Sequence, residues 1–213
     1  MDASEESHVS IKSLPLVANP APLGLAGFAL TTFLLSASNA EWTRGTAAWL
    51  GYALAYGGLC QLLAGMWEFR NKNVFGATAF STYGGFWIGL GLYAELVAGK
   101  ATLFQFHNDL GWIILAFLIF NTYMLLWSLF VNTAVFAVFL TLEITEILLV
   151  IGNLTFTAKG IGSPTWFIEA GGVAGIITAA TAWYTSAAGV VNEMAGRAFL
   201  PVGKPLSLSK PEA

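Results

Sequence analysis

Apolar runs close to the length of a membrane crossing recur along this chain, separated by short polar turns. A helix needs about 20 such residues to span the hydrocarbon core of a bilayer. Six runs fit: residues 23–38, 46–67, 76–97, 110–130, 134–154 and 166–191. The fourth and fifth are separated only by VNTA, which demands a tight turn. The longest connectors, AGKATLFQFHND and TFTAKGIGSPT, leave no room for a soluble domain. Charge agrees with this reading. Only 10% of the 213 residues are charged and 56% are hydrophobic, whereas a soluble chain carries roughly 25% charged residues to cover its surface. The expectation is an all-α polytopic membrane protein with six transmembrane helices. It divides into a disordered cytoplasmic tail (1–18), a six-helix membrane domain (19–198) and a cytoplasmic C-terminal tail (199–213).

Basic residues near the span ends set the orientation. Lys12, Arg70, Lys72, Arg197, Lys204 and Lys210 fall on one side, against Arg44, Lys100 and Lys159 on the other, six to three. That places both termini in the cytoplasm of a cell whose plasma membrane the chain crosses. Trp42, Trp49, Trp67, Trp112 and Trp166 lie near span ends, where indoles anchor at the interface. Net charge is −3 with no basic block, so nucleic acid is not an expected partner. The single cysteine, Cys60, has no internal disulfide partner.

Small residues stand at helical spacing in two spans. The sixth carries Ala170, Ala174, Thr178, Ala182 and Ser186, with Gly171, Gly175 and Ala179 as a second row; the third carries Gly85 and Gly89. Such rows let helix backbones approach closely. They suit packing within one protomer or between protomers.

Enzyme motifs are absent: there is no HExxH, GxSxG or Gly-rich phosphate loop. His8 and His107 fall in segments read as non-spanning, with no ligand cluster for a metal. Every lysine lies outside the spans, which argues against a retinal-type Schiff base. Neither a cofactor nor a metal is expected. The ionisable residues that stand out are Glu143 and Glu146, near the middle of the fifth span. A charge at that depth costs upward of about 2.5 kcal/mol, so it must face protein or water. At about 100° per residue, Leu142, Glu143 and Glu146 share one broad face. No basic residue is expected at their depth, so at least one of the pair should carry a proton. The pair is a candidate proton site, with a purely structural hydrogen-bonded pair as the alternative. Glu68 and Arg70 read as solvated, and Asn121, Asn153 and Gln61 as interhelical hydrogen-bonding groups. NLT at Asn153 matches a glycosylation sequon but lies against an apolar run.

Ordered blocks carry a more specific signal. NPAPLGLAGFALTTFLLS opens the first span. QLLAGMWEF and NVFGATAFSTYGGFW follow, then IGN at the end of the fifth span, ITAATAWYTSAAG in the sixth, and AFLPVG near the C-terminus. Together they cover residues 19–201 and resemble the succinate–acetate permease family, also called acetate uptake transporters. The resemblance implies six helices per protomer, assembly as a homohexamer, and uptake of acetate and, in some members, succinate. Partners would then be a small carboxylate, a proton, membrane lipid and other copies of the chain. It also implies one path per protomer, narrowed by Phe28, Tyr83 and Leu142, with Ala182 at a small position beside the path. A narrow apolar ring of this kind would favour a small solute that sheds most of its water.

The family is largely apolar where this chain has Glu143 and Glu146. A fixed negative charge beside Leu142 would repel acetate, so the glutamates either face away, carry protons, or couple proton to anion; the last, with protonation, is preferred. The basic side chains expected at the entrance to span five are absent from SLFVNTAVF. Three functions remain open: a proton-coupled acetate permease, a passive acetate channel, and a non-transporting sensor or assembly protein.

The entrance motif implied by the resemblance is Asn19, Pro20, Ala21, Pro22, Leu23, Gly24 and Leu25. Asn19 suits an N-cap with Pro20 at the first helical position, and Pro22 falls in the first turn, where amides have no helical partner. The amides of Ala21 and Leu23 would then be free to meet a carboxylate. Gly24 and Gly27 would let a neighbouring helix or the solute come close, one turn before Phe28.

Overall fold

A computed structural model describes residues 17–43, 48–157 and 165–207. The expected disordered tail lies almost wholly outside the described residues, as do Arg44, Lys159 and Lys210. The helices are α1 (Ala21–Asn39), α2 (Leu50–Leu54), α3 (Gln61–Arg70), α4 (Val74–Leu96), α5 (Leu103–Ser128), α6 (Thr133–Leu154) and α7 (Trp166–Ala195). A π-helical segment, Ala55–Cys60, joins α2 to α3 without a break, and a 3-10 turn, Ala98–Lys100, precedes α5. Among the described residues the chain therefore forms six helical rods. By length and composition, α1, α5, α6 and α7 are apolar enough to cross a membrane. The second rod is interrupted by its π turn, and α4 dilutes its apolar run with Gly, Ser and Thr.

Helix starts follow local chemistry. Asn73 Oδ1 accepts from the Gly76 amide at 3.1 Å and Asn132 Oδ1 from the Val135 amide at 2.9 Å, the usual N-cap arrangement. The fourth rod departs from expectation. It begins at Leu103 rather than near residue 110, because Thr102 and Gln105 form a reciprocal capping box. Gln105 N–H donates to Thr102 Oγ1 at 3.2 Å, and Thr102 N–H to Gln105 Oε1 at 2.9 Å. His107, read as a loop residue, is thus helical. The last rod runs on to Ala195 and stops at Gly196, whose φ of 63° gives a left-handed C-cap.

In space the rods follow one another around a ring: α5 packs on α6, α6 on α7, α7 on α1, α1 on the π segment and α3, and α3 on α4. Between α4 and α5 the backbones stay apart and aromatic rings fill the gap. Phe86 meets Phe117 at 4.6 Å between centroids, Tyr83 meets Phe120 at 5.4 Å, and Tyr93 stacks on Phe106 at 6.1 Å. The α1–α7 contact is the opposite case. A Cβ on Gly172 would strike the backbone of Ser36 and Ala40, and one on Gly175 would strike the Ser36 side chain. Gly171 likewise packs under Leu149. The small-residue rows of α7 therefore serve packing inside the protomer. Gly85 and Gly89 of α4 face open space.

After Gly196 the chain folds back across the start of α6. Ala134 N–H donates to Val202 O at 2.9 Å, Leu206 N–H to Leu129 O at 2.9 Å, and Tyr184 O–H to Pro201 O at 2.7 Å. This strap puts Val202 on the wall of the larger internal cavity.

Candidate functional site

Two cavities lie inside the helix ring, of about 450 Å³ and 240 Å³. Among the described residues Phe28, Tyr83 and Leu142 line both. They come from three helices, α1, α4 and α6, and all are buried. The Phe28 and Tyr83 rings meet edge to face with centroids 5.6 Å apart, a favoured aromatic geometry. Phe117 and Phe120 of α5 pack on Tyr83 from the other side. The partition between the cavities is therefore a small, largely apolar group of side chains, backed at Tyr83 by the α5 aromatics.

One polar atom breaks that apolar character. The Tyr83 hydroxyl donates to Asn121 Oδ1 at 3.0 Å and lies 3.5 Å from Glu146 Oε1. Asn121, fully buried on α5, donates through Nδ2 to Glu143 Oε2 at 2.7 Å and to the Phe139 carbonyl at 3.1 Å. Thr122 Oγ1 lies 2.7 Å from Glu143 Oε1 and 2.8 Å from Leu118 O, with one proton to share between them. The two glutamates thus have different surroundings. Glu143 is half-buried, turned toward α5, and has a neutral donor within reach of each oxygen. Glu146 is buried, lines the smaller cavity, and its Oε2 has no hydrogen-bond partner among the described residues. The shared face with Leu142 read from the sequence holds only for Glu146; Glu143 points away from both cavities.

Of residues 19–25, Asn19, Ala21, Pro22 and Leu25 lie on the wall of the larger cavity. Leu23 is exposed on the opposite side of the helix. Asn19 Oδ1 accepts from the Ala21 amide at 3.0 Å, so that amide is not free for a carboxylate, contrary to expectation. The assigned helix begins at Ala21, and the Pro20 carbonyl accepts its first bond, from Gly24 N–H at 3.2 Å. Gly24 and Gly27 admit neighbours, not solute. A Cβ on Gly24 would lie 2.7 Å from the Phe80 ring, and one on Gly27 would lie 2.7 Å from the Tyr56 carbonyl oxygen of the π segment. Ala182 is buried in the core cluster with Phe28 and Leu142 but is not part of either cavity wall.

Two polar residues, Glu68 and His107, differ from their sequence reading. Glu68, read as solvated, is 1% exposed; Oε2 accepts from Asn73 Nδ2 at 3.0 Å and Oε1 has no partner among the described residues. It lies beneath Gly76, where a side chain would collide with it. His107 reaches across to α6, with Nδ1 2.7 Å from Asn153 Oδ1 and its ring stacked on Phe156 at 4.0 Å. Asn153 is itself buried and donates to Leu149 O at 2.8 Å, so the NLT sequon sits on an interior side chain. Only the paired spacing of His107 and Asn153 against helix ends could have flagged that contact. Among the described residues no group of three His, Cys, Asp or Glu is placed to hold a metal ion.

Residues 7–204 match the GPR1/FUN34/yaaH family. Acetate permease A of Emericella nidulans is 41% identical over 196 residues, which are 87% of this chain and 65% of that protein. The chain therefore spans just under two thirds of that relative. The succinate-acetate/proton symporter SatP of Escherichia coli is 36% identical over 190 residues, 88% of this chain and 96% of that protein. A solved structure, that of the bacterial acetate channel SatP, aligns with a TM-score of 0.79 at 34% identity, covering 88% of this chain and all of that one. Transporter relatives and several long apolar helices make this a multi-pass membrane protein. The resemblance carried by the ordered sequence blocks is borne out, and the chain belongs to the GPR1/FUN34/yaaH family.

Proposed function

We propose that this protein is a permease for acetate and related small carboxylates such as succinate, with the two cavities as vestibules of one path and the Phe28–Tyr83–Leu142 ring as its constriction. The observation that carries the reading is the sharing of those three side chains by both cavity walls. The relatives named for acetate point to the same solute class. The entrance motif would form the cytoplasmic mouth, with six spans and both termini on that side. Ala182, packed behind the ring, would set how far α7 yields to a larger solute.

Proton coupling belongs to the same proposal. Both Glu143 oxygens have a neutral donor within reach, whereas Glu146 has an unmatched oxygen on a cavity wall. A buried anion so poorly solvated is costly, so we assign the proton to Glu146. Assembly as a hexamer draws on the outward Gly85 and Gly89, whose open face would admit another copy's helix.

The second reading is passive flow, which the solved relative's description as a channel favours. Acetate uptake into proteoliposomes with and without an imposed pH gradient separates the two. Uphill accumulation driven by the gradient supports coupling; equilibration without accumulation supports a channel. Absence of any acetate flux would leave the non-transporting reading in place.

A further inference from the structure

The outer surface of the α5–α6 pair is apolar except at one place. Ile119, Tyr123 and Leu126 of α5 and Leu140, Ile144 and Ile147 of α6 are exposed at helical spacing. Among them stand Thr122, exposed, and Glu143, half-buried, at the midpoint of α6. No cation answers that carboxyl: α1, α4, α5, α6 and α7 contain neither Lys nor Arg. Its titratable neighbours are Glu146 on its own helix, Tyr83 on α4 and Tyr123 on α5, all of them acids. An uncompensated charge at that depth is costly. One added proton removes the charge and completes the hydrogen bonds. Thr122 Oγ1 lies 2.7 Å from Glu143 Oε1 and 2.8 Å from Leu118 O. A hydroxyl gives one hydrogen bond and can accept others. With a proton on Oε1, Glu143 donates to Thr122 Oγ1, and Thr122 donates to Leu118 O. Asn121 Nδ2 still donates to Oε2 at 2.7 Å. Each of these atoms is then paired and no charge faces hydrocarbon.

We propose that Glu143 is a protonated carboxyl facing the lipid, and a positioning residue that holds Tyr83 at the partition through Asn121. Asn121 reaches Glu143 with its Nδ2 while its Oδ1 receives the Tyr83 hydroxyl at 3.0 Å. Two hydrogen bonds thus tie the bilayer side of the protomer to the wall between the cavities. The proton on Glu143 is fixed in this network. It differs in that from the proton on Glu146, which lines the smaller cavity. On the transport reading above, a group outside the path then sets part of the width of the path.

The tests use full-length protein in lipid nanodiscs, with acetate flux read separately in proteoliposomes. Dicyclohexylcarbodiimide is lipid-soluble and adds to a protonated carboxyl. The acid oxygen bonds to the central carbon, the proton passes to nitrogen, and migration of the acyl group to nitrogen leaves an N-acylurea with nothing lost. Peptide mass mapping should find the adduct on Glu143 sooner than on Glu146, and a water-soluble carbodiimide should leave Glu143 unmodified. Absence of the lipid-soluble adduct from Glu143, or equal labelling by the water-soluble reagent, overturns the lipid-facing protonated carboxyl. The Tyr83 resonance, in protein carrying 13C at tyrosine Cζ and assigned by its loss in Tyr83→Phe, reads the positioning role. It should move in Glu143→Leu, which suits the apolar surface, and stay in place in Glu143→Gln, whose amide keeps neutral hydrogen bonds. A resonance unmoved by Glu143→Leu, or moved equally by both variants, overturns that role. Glu143→Leu should also favour butyrate over acetate by roughly threefold more than the parent does, and Glu143→Gln should not. Unchanged preference in a Glu143→Leu protein that takes up acetate overturns the effect on the path. Parent protein without acetate flux overturns the transport reading, while the adduct and the resonance still decide on Glu143.

Discussion

Tyr83 and Asn121, 38 positions apart on α4 and α5, are joined by a 3.0 Å hydrogen bond inside the aromatic cluster that separates the two cavities. Tyr83 has one hydroxyl proton and two neighbours able to receive it, Asn121 Oδ1 and Glu146 Oε1. The shorter contact gives it to Asn121. That fixes the ring at the partition, because Asn121 is in turn held by Glu143 and the Phe139 carbonyl.

Asn121→Ala should therefore do two things. It takes the nearer partner from the Tyr83 hydroxyl, which keeps only the 3.5 Å contact with Glu146 Oε1, and removes a donor from Glu143, at about 1–3 kcal/mol for a buried group left unsatisfied. The purified protein should unfold at a lower temperature. Tyr83→Phe removes the same bond and the longer contact with Glu146 Oε1, and should cost less, since Asn121 keeps its bonds to Glu143 and the Phe139 carbonyl. A thermal-shift series in one detergent checks the order, and equal losses for the two variants would refute it.

Glu146→Gln keeps the shape of the side chain but cannot gain or release a proton. Acetate uptake by the parent protein should depend on external pH through this group, and the variant should flatten that dependence. Glu143→Gln should leave the dependence in place, because Glu143 faces α5 and lines neither cavity. Initial rates of labelled acetate uptake across a pH series decide the matter. The same pH profile for Glu146→Gln as for the parent would remove Glu146 as the proton site.

Leu142→Ala removes the aliphatic member of the ring. Large-to-small changes at buried leucines cost about 2–5 kcal/mol, so a lower unfolding temperature is expected. The wider ring should raise uptake of longer carboxylates such as propionate and butyrate relative to acetate. Competition of each acid against labelled acetate reads this out. An unchanged order of preference would mean that selection occurs elsewhere along the path.

The helical character was legible because apolar length is a local property of the chain, and the family was legible because ordered sequence blocks carry it. What escaped was relational. Glu68 reads as solvated beside Arg70, yet folding back through Asn73 buries it beneath Gly76. The Ala21 amide looked free until the Asn19 side chain turned onto it. The fourth rod started early through Thr102 and Gln105, a spacing present in TLFQ and overlooked beside the polar connector. Glu143 and Glu146 lie less than one turn apart; their different surroundings come from Asn121 and Thr122 on a neighbouring helix.

The glycines supply a last test, because identical residues stand in opposite settings. Exchanging Gly for Ala inside a helix ordinarily helps by about 0.5–1 kcal/mol, through reduced backbone freedom in the unfolded chain. At Gly51 of α2 a new Cβ meets nothing within 4 Å, so Gly51→Ala should keep the fold and raise or maintain its unfolding temperature. At Gly172 the added carbon would strike the α1 backbone, with Ser36 O 2.7 Å away. Backbone cannot rotate aside as a side chain can, so α1 and α7 must separate. Gly172→Ala should lower the unfolding temperature and cut acetate uptake, because α1 carries Phe28 to the ring. Thermal shift and uptake measured together check both halves. Should Gly172→Ala prove as stable and active as Gly51→Ala, the close α1–α7 contact would not be what holds Phe28 in place.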